Sequence, residues 1–235
     1  MTEPLVLLPG MGCDDRLFTP QLREFGPERA VMIAPITQGD RIEAIVANLL
    51  PQLPERFALA GLSMGGIVAM EVLNRIPSRV TRLCLMDTNP QAESPAVAAT
   101  REPFIVGAQT GRLDEIMRKA MLPEFLAPGP QRMEILNLMY QMAADLGPDV
   151  FVNQSRALQR RPDQQATLRK CKVPTLIMCG EHDKLTPVRR HEFMAELIPG
   201  AHLKIIEDAG HIPTLEQPEV TNAALRDWLD QRTDG

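Results

Sequence analysis

Phe57-Ala58-Leu59-Ala60 runs directly into Gly61-Leu62-Ser63-Met64-Gly65, and the helix-like Ile67-Val68-Ala69-Met70-Glu71-Val72-Leu73 follows at once. A strand-like apolar run therefore passes into a helix through a single serine. A turn this tight forces the serine into a strained backbone conformation, and residues without a Cβ are needed two before and two after it. The serine hydroxyl is pushed out above the sheet, within reach of a base. The plain alternative is a strand–helix turn in which Ser63 only caps the helix. Partners elsewhere in the chain decide between the two.

A nucleophilic serine needs a base and an orienting acid, and the chain has four histidines. His211 lies in Asp208-Ala209-Gly210-His211-Ile212-Pro213, directly after the β-like Leu203-Lys204-Ile205-Ile206. That places it in a loop at the carboxyl end of a strand, where catalytic groups of parallel sheets collect. His182 is a weaker candidate, and His191 and His202 fall in a charged helix pattern and at a strand start, where solvation or satisfaction in the core explains them. For the acid, Gly180-Glu181-His182-Asp183-Lys184-Leu185-Thr186-Pro187 follows the buried-strand run Thr175-Leu176-Ile177-Met178-Cys179. A carboxylate at Asp183 can accept the Nδ1 proton of His211 and stabilise the imidazolium that forms when Ser63 is deprotonated. Asp87, after Val80-Thr81-Arg82-Leu83-Cys84-Leu85-Met86, occupies a comparable place and remains the second choice.

The order Ser63, Asp183, His211, with the Gly61–Gly65 elbow, the Gly180-x-x-Asp183-x-x-x-Pro187 segment and the Gly210-His211 loop, resembles the α/β-hydrolase fold superfamily. The resemblance runs from Leu5 to about Leu229, with strong motifs in both halves and nothing distinctive between residues 91 and 170. It favours Asp183 over Asp87 and implies an oxyanion hole. One donor is expected to be the backbone N–H of Met64, directly after the serine. The other is expected from Leu8-Pro9-Gly10-Met11-Gly12, at the N–H of Met11, although Pro9 stands where relatives usually carry His. An ordinary glycine-rich turn is the alternative reading of that loop.

Other readings of these glycines fail on spacing. A dinucleotide fingerprint starting at Gly10-x-Gly12 needs glycine at position 15, which is Asp15, and the chain has no Gly-Lys-Ser/Thr segment for a P-loop. A net charge of -5 and a pI near 5.5 argue against nucleic acid or an anionic membrane surface as partner. Cys13, Cys84, Cys171 and Cys179 lack metal-type spacing and read as reduced thiols. Cys13 lies close to the oxyanion loop and reads as a buried structural thiol, with pocket lining as the alternative. The beginning Met1-Thr2-Glu3-Pro4 carries no positive segment, so a cytoplasmic protein is expected.

Strand-like and helix-like stretches alternate: Leu5–Leu8, Arg16–Phe25, Ala30–Ala34, Arg41–Leu50, Phe57–Leu62, Met64–Arg75 and Val80–Met86, then Thr175–Cys179, Arg189–Leu197, Leu203–Ile206 and Glu219–Asp230. The expected fold class is α/β: a mostly parallel, doubly wound sheet of about six strands, with Ala30–Ala34 at one edge and without the hairpin that relatives carry before the oxyanion strand. Residues 1–90 and 171–235 form the expected core. Residues 91–170 break the alternation with helical patterns over Arg112–Met121, Gln131–Asp145 and Asp149–Gln159, punctuated by glycine and proline. Relatives insert a helical cap at this point, and Phe104, Tyr140 and Phe151 are its candidate substrate-binding residues. Met117, Met121, Met133, Met139 and Met142 read mostly as helix–helix core. The tail Arg232–Gly235 is expected to fray.

The resulting expectation is a serine hydrolase acting on a small or medium carboxylic ester, with no metal or organic cofactor, as a monomer or homodimer. Lactone, thioester and carbon–carbon bond hydrolysis use the same triad and stay open. A triad-bearing ligand receptor and a non-hydrolytic lyase or perhydrolase are more distant alternatives.

Overall fold

A computed structural model describes residues 2–231; the tail expected to fray lies outside them. Six strands, β1 (Leu5–Leu8), β2 (Val31–Ile33), β3 (Phe57–Leu62), β4 (Val80–Met86), β5 (Thr175–Gly180) and β6 (His202–Ile206), form one sheet in the order β2-β1-β3-β4-β5-β6. Every pairing among the described residues is parallel. The chain leaves β1 for β2 on one side and returns to β3 on the other, so the order reverses between β1 and β3. The loops following those two strands flank the crevice where such sheets bind ligands.

The apolar strands follow from burial on both faces. Alternate residues separate cleanly: Leu5, Leu7, Ala58, Ala60, Leu62, Cys84 and Met86 face one cluster, and Val6, Leu8, Leu59, Leu83 and Leu85 face the other. On the first face lie α1 (Thr19–Phe25), reached through a 3₁₀ turn at Asp15–Phe18, and, near the chain end, α11 (Pro213–Glu216) and α12 (Pro218–Leu229). On the second face pack α2 (Ile42–Leu49), α3 (Met64–Arg75) and α10 (Val188–Leu197). Fully burying a side chain such as Leu5 or Leu59 contributes about 1.5–3 kcal/mol. Arg82 on β4 pairs with Glu3 at 2.7 Å and donates to the carbonyls of Trp228 and Gln231, tying the end of α12 to the sheet.

Between β4 and β5 the chain is helical: α4 (Pro95–Ala99), α5 (Glu102–Gln109), α6 (Leu113–Ala120), a 3₁₀ turn at Pro123–Phe125, α7 (Arg132–Leu146), α8 (Pro148–Gln159) and α9 (Gln165–Arg169). The feet of the segment meet where Gln164 N–H donates to Pro90 O at 2.8 Å. Helix α9 belongs to the packing of the sheet, since Leu168 sits in the α2–α3 cluster. Pro148 opens α8 directly after Gly147, whose φ of 86° breaks it from α7.

Candidate active site

Ser63 occupies the turn between β3 and α3 with φ 54° and ψ −116°, a backbone region that costs on the order of 1–3 kcal/mol and persists only when neighbours hold it. The tightest of those neighbours are backbone. A Cβ on Gly61 would fall on the carbonyl of Gly65, and one on Gly65 would fall on the carbonyl of Leu8. Ser63 N–H donates to Met86 O at 2.9 Å, and the Thr88 hydroxyl donates to Ser63 O at 2.7 Å. Thr88 is held in turn, because its N–H donates to Nε2 of the fully buried His191 at 3.0 Å. Burial lowers the His191 pKa to about 4, overriding the pull of Asp183, so this imidazole is neutral and serves as an acceptor behind the elbow.

Asp183 lies in the loop after β5, and His211 in the loop after β6. Nδ1 of His211 is 2.8 Å from Asp183 Oδ2, and Nε2 is 3.0 Å from Ser63 Oγ. The carboxylate also accepts from the N–H groups of Leu185 and Thr186 at Oδ1, and from the Thr186 hydroxyl at Oδ2. Burial pushes the Asp183 pKa up, but the facing imidazole and the Thr186 hydrogen bonds outweigh it and hold the group well below the ordinary carboxylate range. Asp87 is close by, yet its Oδ1 accepts from Gly180 N–H at 2.9 Å and its Oδ2 has no partner among the described residues. Burial first, and the Asp183 charge second, raise the Asp87 pKa well above the usual value. Of the two acids weighed from the sequence, Asp183 is the one hydrogen-bonded to the imidazole. Asp87, Asp183 and His211 place ligand-type atoms within 4.8 Å of one another, but both His211 nitrogens are engaged by Asp183 and Ser63, leaving none for a metal ion.

The loop after β1 brings Gly10 beside the serine: a Cβ there would sit 3.5 Å from Ser63 Cβ. Met64 is the first residue of α3, so its N–H has no intrahelical acceptor. The Met11 N–H likewise has no protein acceptor among the described residues. The Gly12 N–H, the alternative donor in this loop, is taken by Gln154 Oε1 at 2.8 Å. Gln154, fully buried on α8, also donates to Ile36 O at 3.1 Å and so spans two loops of the sheet. Ala143 and Met117 lie against Gly12 from the helical segment.

The His211 loop is held from the same segment. His211 N–H donates to Phe125 O at 2.8 Å, and Glu216 accepts from Ala127, Gly210 and Ile212. Burial raises the Glu216 pKa against the pull of those three amides. Gln154, Thr88 and His191 act through main-chain groups far away in sequence, and Glu216 joins the nearby Gly210 and Ile212 amides to the distant Ala127 amide.

Tyr140 and Phe151 are buried in the cluster that joins the helical segment to the sheet, and Phe104 packs at its margin. The Tyr140 hydroxyl donates to Met121 O at 2.8 Å, and the Arg118 guanidinium lies 4.8 Å from its ring centroid. Met117, Met121, Met139 and Met142 are buried as expected, while Met133 is 52% exposed. Cys13 is buried with its thiol against Met11 O, and burial pushes its pKa up to about 12, which makes it inert. No described helix is long and apolar enough to cross a membrane.

A strained serine at the switch point of a parallel sheet, hydrogen-bonded to an imidazole that is hydrogen-bonded to a carboxylate, defines an enzyme of the serine hydrolase class. The chain belongs to the alpha/beta hydrolase family, whose model matches residues 5–224. A pimeloyl-(acyl-carrier protein) methyl ester esterase from Aromatoleum aromaticum is 30% identical over 201 residues, covering 81% of this chain and 80% of its own. One from Legionella pneumophila is 26% identical, covering 96% of this chain and 95% of its own. Among solved structures, a thermophilic esterase from Thermogutta terrifontis superposes with a TM-score of 0.88 at 26% identity, over 97% of this chain and 90% of that one. An enol-lactonase from Burkholderia xenovorans shares the fold, with a TM-score of 0.86 at 22% identity over 98% of this chain and 92% of that one.

Proposed function

We propose that the protein is a carboxylesterase that cleaves esters of small to medium acyl groups through an acyl-enzyme. The observation that carries this reading is the chain of hydrogen bonds from Asp183 through His211 to Ser63, at 2.8 and 3.0 Å. Ser63 Oγ attacks the ester carbonyl as Nε2 of His211 takes its proton. The Asp183 carboxylate fixes the Nδ1–H tautomer and stabilises the imidazolium. The tetrahedral oxyanion is held by the N–H of Met64, at the first residue of α3, and the N–H of Met11, in the loop after β1, neither of which is spent on a protein acceptor among the described residues. Collapse expels the alcohol, protonated by His211. Water, deprotonated by the same imidazole, then releases the acid and regenerates Ser63.

In this reading α4–α8 form a cap over the serine. Phe104, Tyr140 and Phe151 shape the acyl side of that cap, and Met117 and Ala143 flank the oxyanion loop. Similarity to the methyl ester esterases extends the proposal to methyl esters, whose leaving group needs little room. The test is a rate panel of matched methyl, ethyl and aryl esters, thioesters and lactones of increasing acyl length, including an acyl chain carried on phosphopantetheine. Higher kcat/KM for methyl esters than for matched thioesters and lactones supports the reading. Preference for lactones or thioesters refutes it.

A further inference from the structure

Glu216 ends α11, five residues after His211. Its Oε2 accepts from the N–H groups of Ala127 at 2.6 Å and Gly210 at 2.9 Å, and its Oε1 accepts from Ile212 N–H at 2.8 Å. Gly210 and Ile212 are the two residues that flank His211. The His211 N–H itself goes to Phe125 O at 2.8 Å. One direct main-chain bond, and one carboxylate that accepts from two N–H groups of the loop and one of the strap, thus fasten residues 210–212 to the strap 125–127 of the helical segment. Arg132 clamps the far side of the strap, donating to the carbonyls of Ala127 and Leu126 at 2.8 and 3.0 Å. Among the described residues no Lys or Arg pairs with Glu216. The charged or titratable groups it senses, besides its amide partners, are His211 and, on the strand side, Asp87.

The arrangement demands a carboxylate. A glutamine offers one acceptor oxygen and one NH₂, so it would set a donor against Ile212 N–H or against the Ala127 and Gly210 pair. An aspartate keeps the charge but is one methylene short of spanning three amides. The strap and the loop also meet at backbone distance: a Cβ on Gly210 would fall on the carbonyl of Phe125 and the Cα of Leu126. A shift of either strand of chain therefore moves the imidazole.

We propose that Glu216 is a positioning residue of the reaction, setting the direction of the His211 imidazole toward Ser63 and locking it to the 125–127 strap. This rests on the assignment of His211 as the base. In this role Glu216 acts through the backbone on either side of His211.

The test compares wild type, Glu216→Gln, Glu216→Asp and His211→Ala, each assayed well below its own melting temperature. Kinetics on an aryl ester are read alongside the low-field proton resonance of the His211 Nδ1–H to Asp183 bond. Glu216→Gln is expected to lower kcat by about 10- to 100-fold, the range for an angstrom-scale displacement of a catalytic group, with KM within about threefold. The low-field resonance should shift or broaden, and Glu216→Asp should fall between the two. A Glu216→Gln protein that melts lower but keeps wild-type kcat and an unmoved resonance overturns the proposal, leaving Glu216 a brace of the fold. If Glu216→Gln does not fold, wild-type kcat and resonance in Glu216→Asp overturn it equally. Turnover retained in His211→Ala refutes the base assignment itself, and that result is read independently of any Glu216 variant.

Discussion

Replacing Gln154 with leucine removes one side chain and orphans two buried main-chain groups, the Gly12 N–H and the Ile36 carbonyl. Each lost partner costs about 1–3 kcal/mol, so Gln154→Leu is expected to destabilise the fold by roughly 2–6 kcal/mol. At about 2–4 °C per kcal/mol for a chain of this size, Tm falls by on the order of 10 °C. The catalytic consequence is separate. Gly12 sits at φ 66° next to Met11, so loosening it lets the proposed oxyanion donor drift. Deleting such a donor outright costs about 10²- to 10³-fold, and an unpinned donor should cost less, about 10-fold in kcat. Gln154→Glu separates the two anchors, since an ionised carboxylate still accepts from Gly12 but cannot donate to Ile36. It should therefore lose stability while keeping more of kcat than the leucine variant. The assay is aryl-ester hydrolysis at a temperature where both variants are folded by circular dichroism, alongside thermal melts. Unchanged kcat in a folded, destabilised Gln154→Leu protein refutes the claim that the helical segment holds the oxyanion loop.

Asp183→Asn should lower kcat by up to about 10⁴-fold with little change in fold, because the asparagine cannot enforce the Nδ1–H tautomer; a loss under tenfold would mean the acid is elsewhere. Asp87→Asn should leave kcat nearly intact. The fold raises the Asp87 pKa, so its penalty is absent below the ordinary carboxylate value near ~3.9 and grows as pH rises toward the folded value. Asp87→Asn keeps an acceptor for Gly180 N–H without the charge, so it should raise Tm at pH 7–8 with a gain that shrinks toward pH 4, and the opposite pH trend contradicts this. Met11→Ala keeps the main-chain donor and should stay within a few-fold of wild type, whereas Met11→Pro deletes it and should cost about 10²- to 10³-fold in kcat. Normal turnover by a folded Met11→Pro protein would move the second donor away from this loop.

The centre of the sheet was legible because β1, β3 and β5, buried along their whole length, are nearly unbroken apolar runs, and the elbow because only glycine fits at positions 61 and 65. Asp183 and His211 were legible for a related reason, since each lies just past a strand end, where a short polar motif stands out. Boundaries moved by a residue or two. The ladder at Ala30 and Ala34 continues through Leu5 N–H to Ala30 O and Ala34 N–H to Leu7 O, although β2 itself spans only Val31–Ile33. The short helices α4 and α11, of five and four residues, carry too little periodicity to read. Gln154 and Glu216 stayed hidden because their partners are backbone amides: Gln154 meets Gly12 across 142 positions and Glu216 meets Ala127 across 89. A backbone amide has no residue identity, so no sequence pattern announces such a bond.

The most direct measurement is covalent labelling of the native protein with a fluorophosphonate, followed by peptide mass spectrometry, in wild type and Ser63→Ala. Ser63 is the proposed nucleophile, with its hydroxyl 3.0 Å from His211 Nε2. The expected result is one adduct per chain on the peptide containing Ser63, with ester hydrolysis lost in step with labelling. Ser63→Ala should show neither adduct nor turnover while melting near the wild-type temperature. An adduct on another residue, or ester hydrolysis surviving in a folded Ser63→Ala protein, would contradict the account.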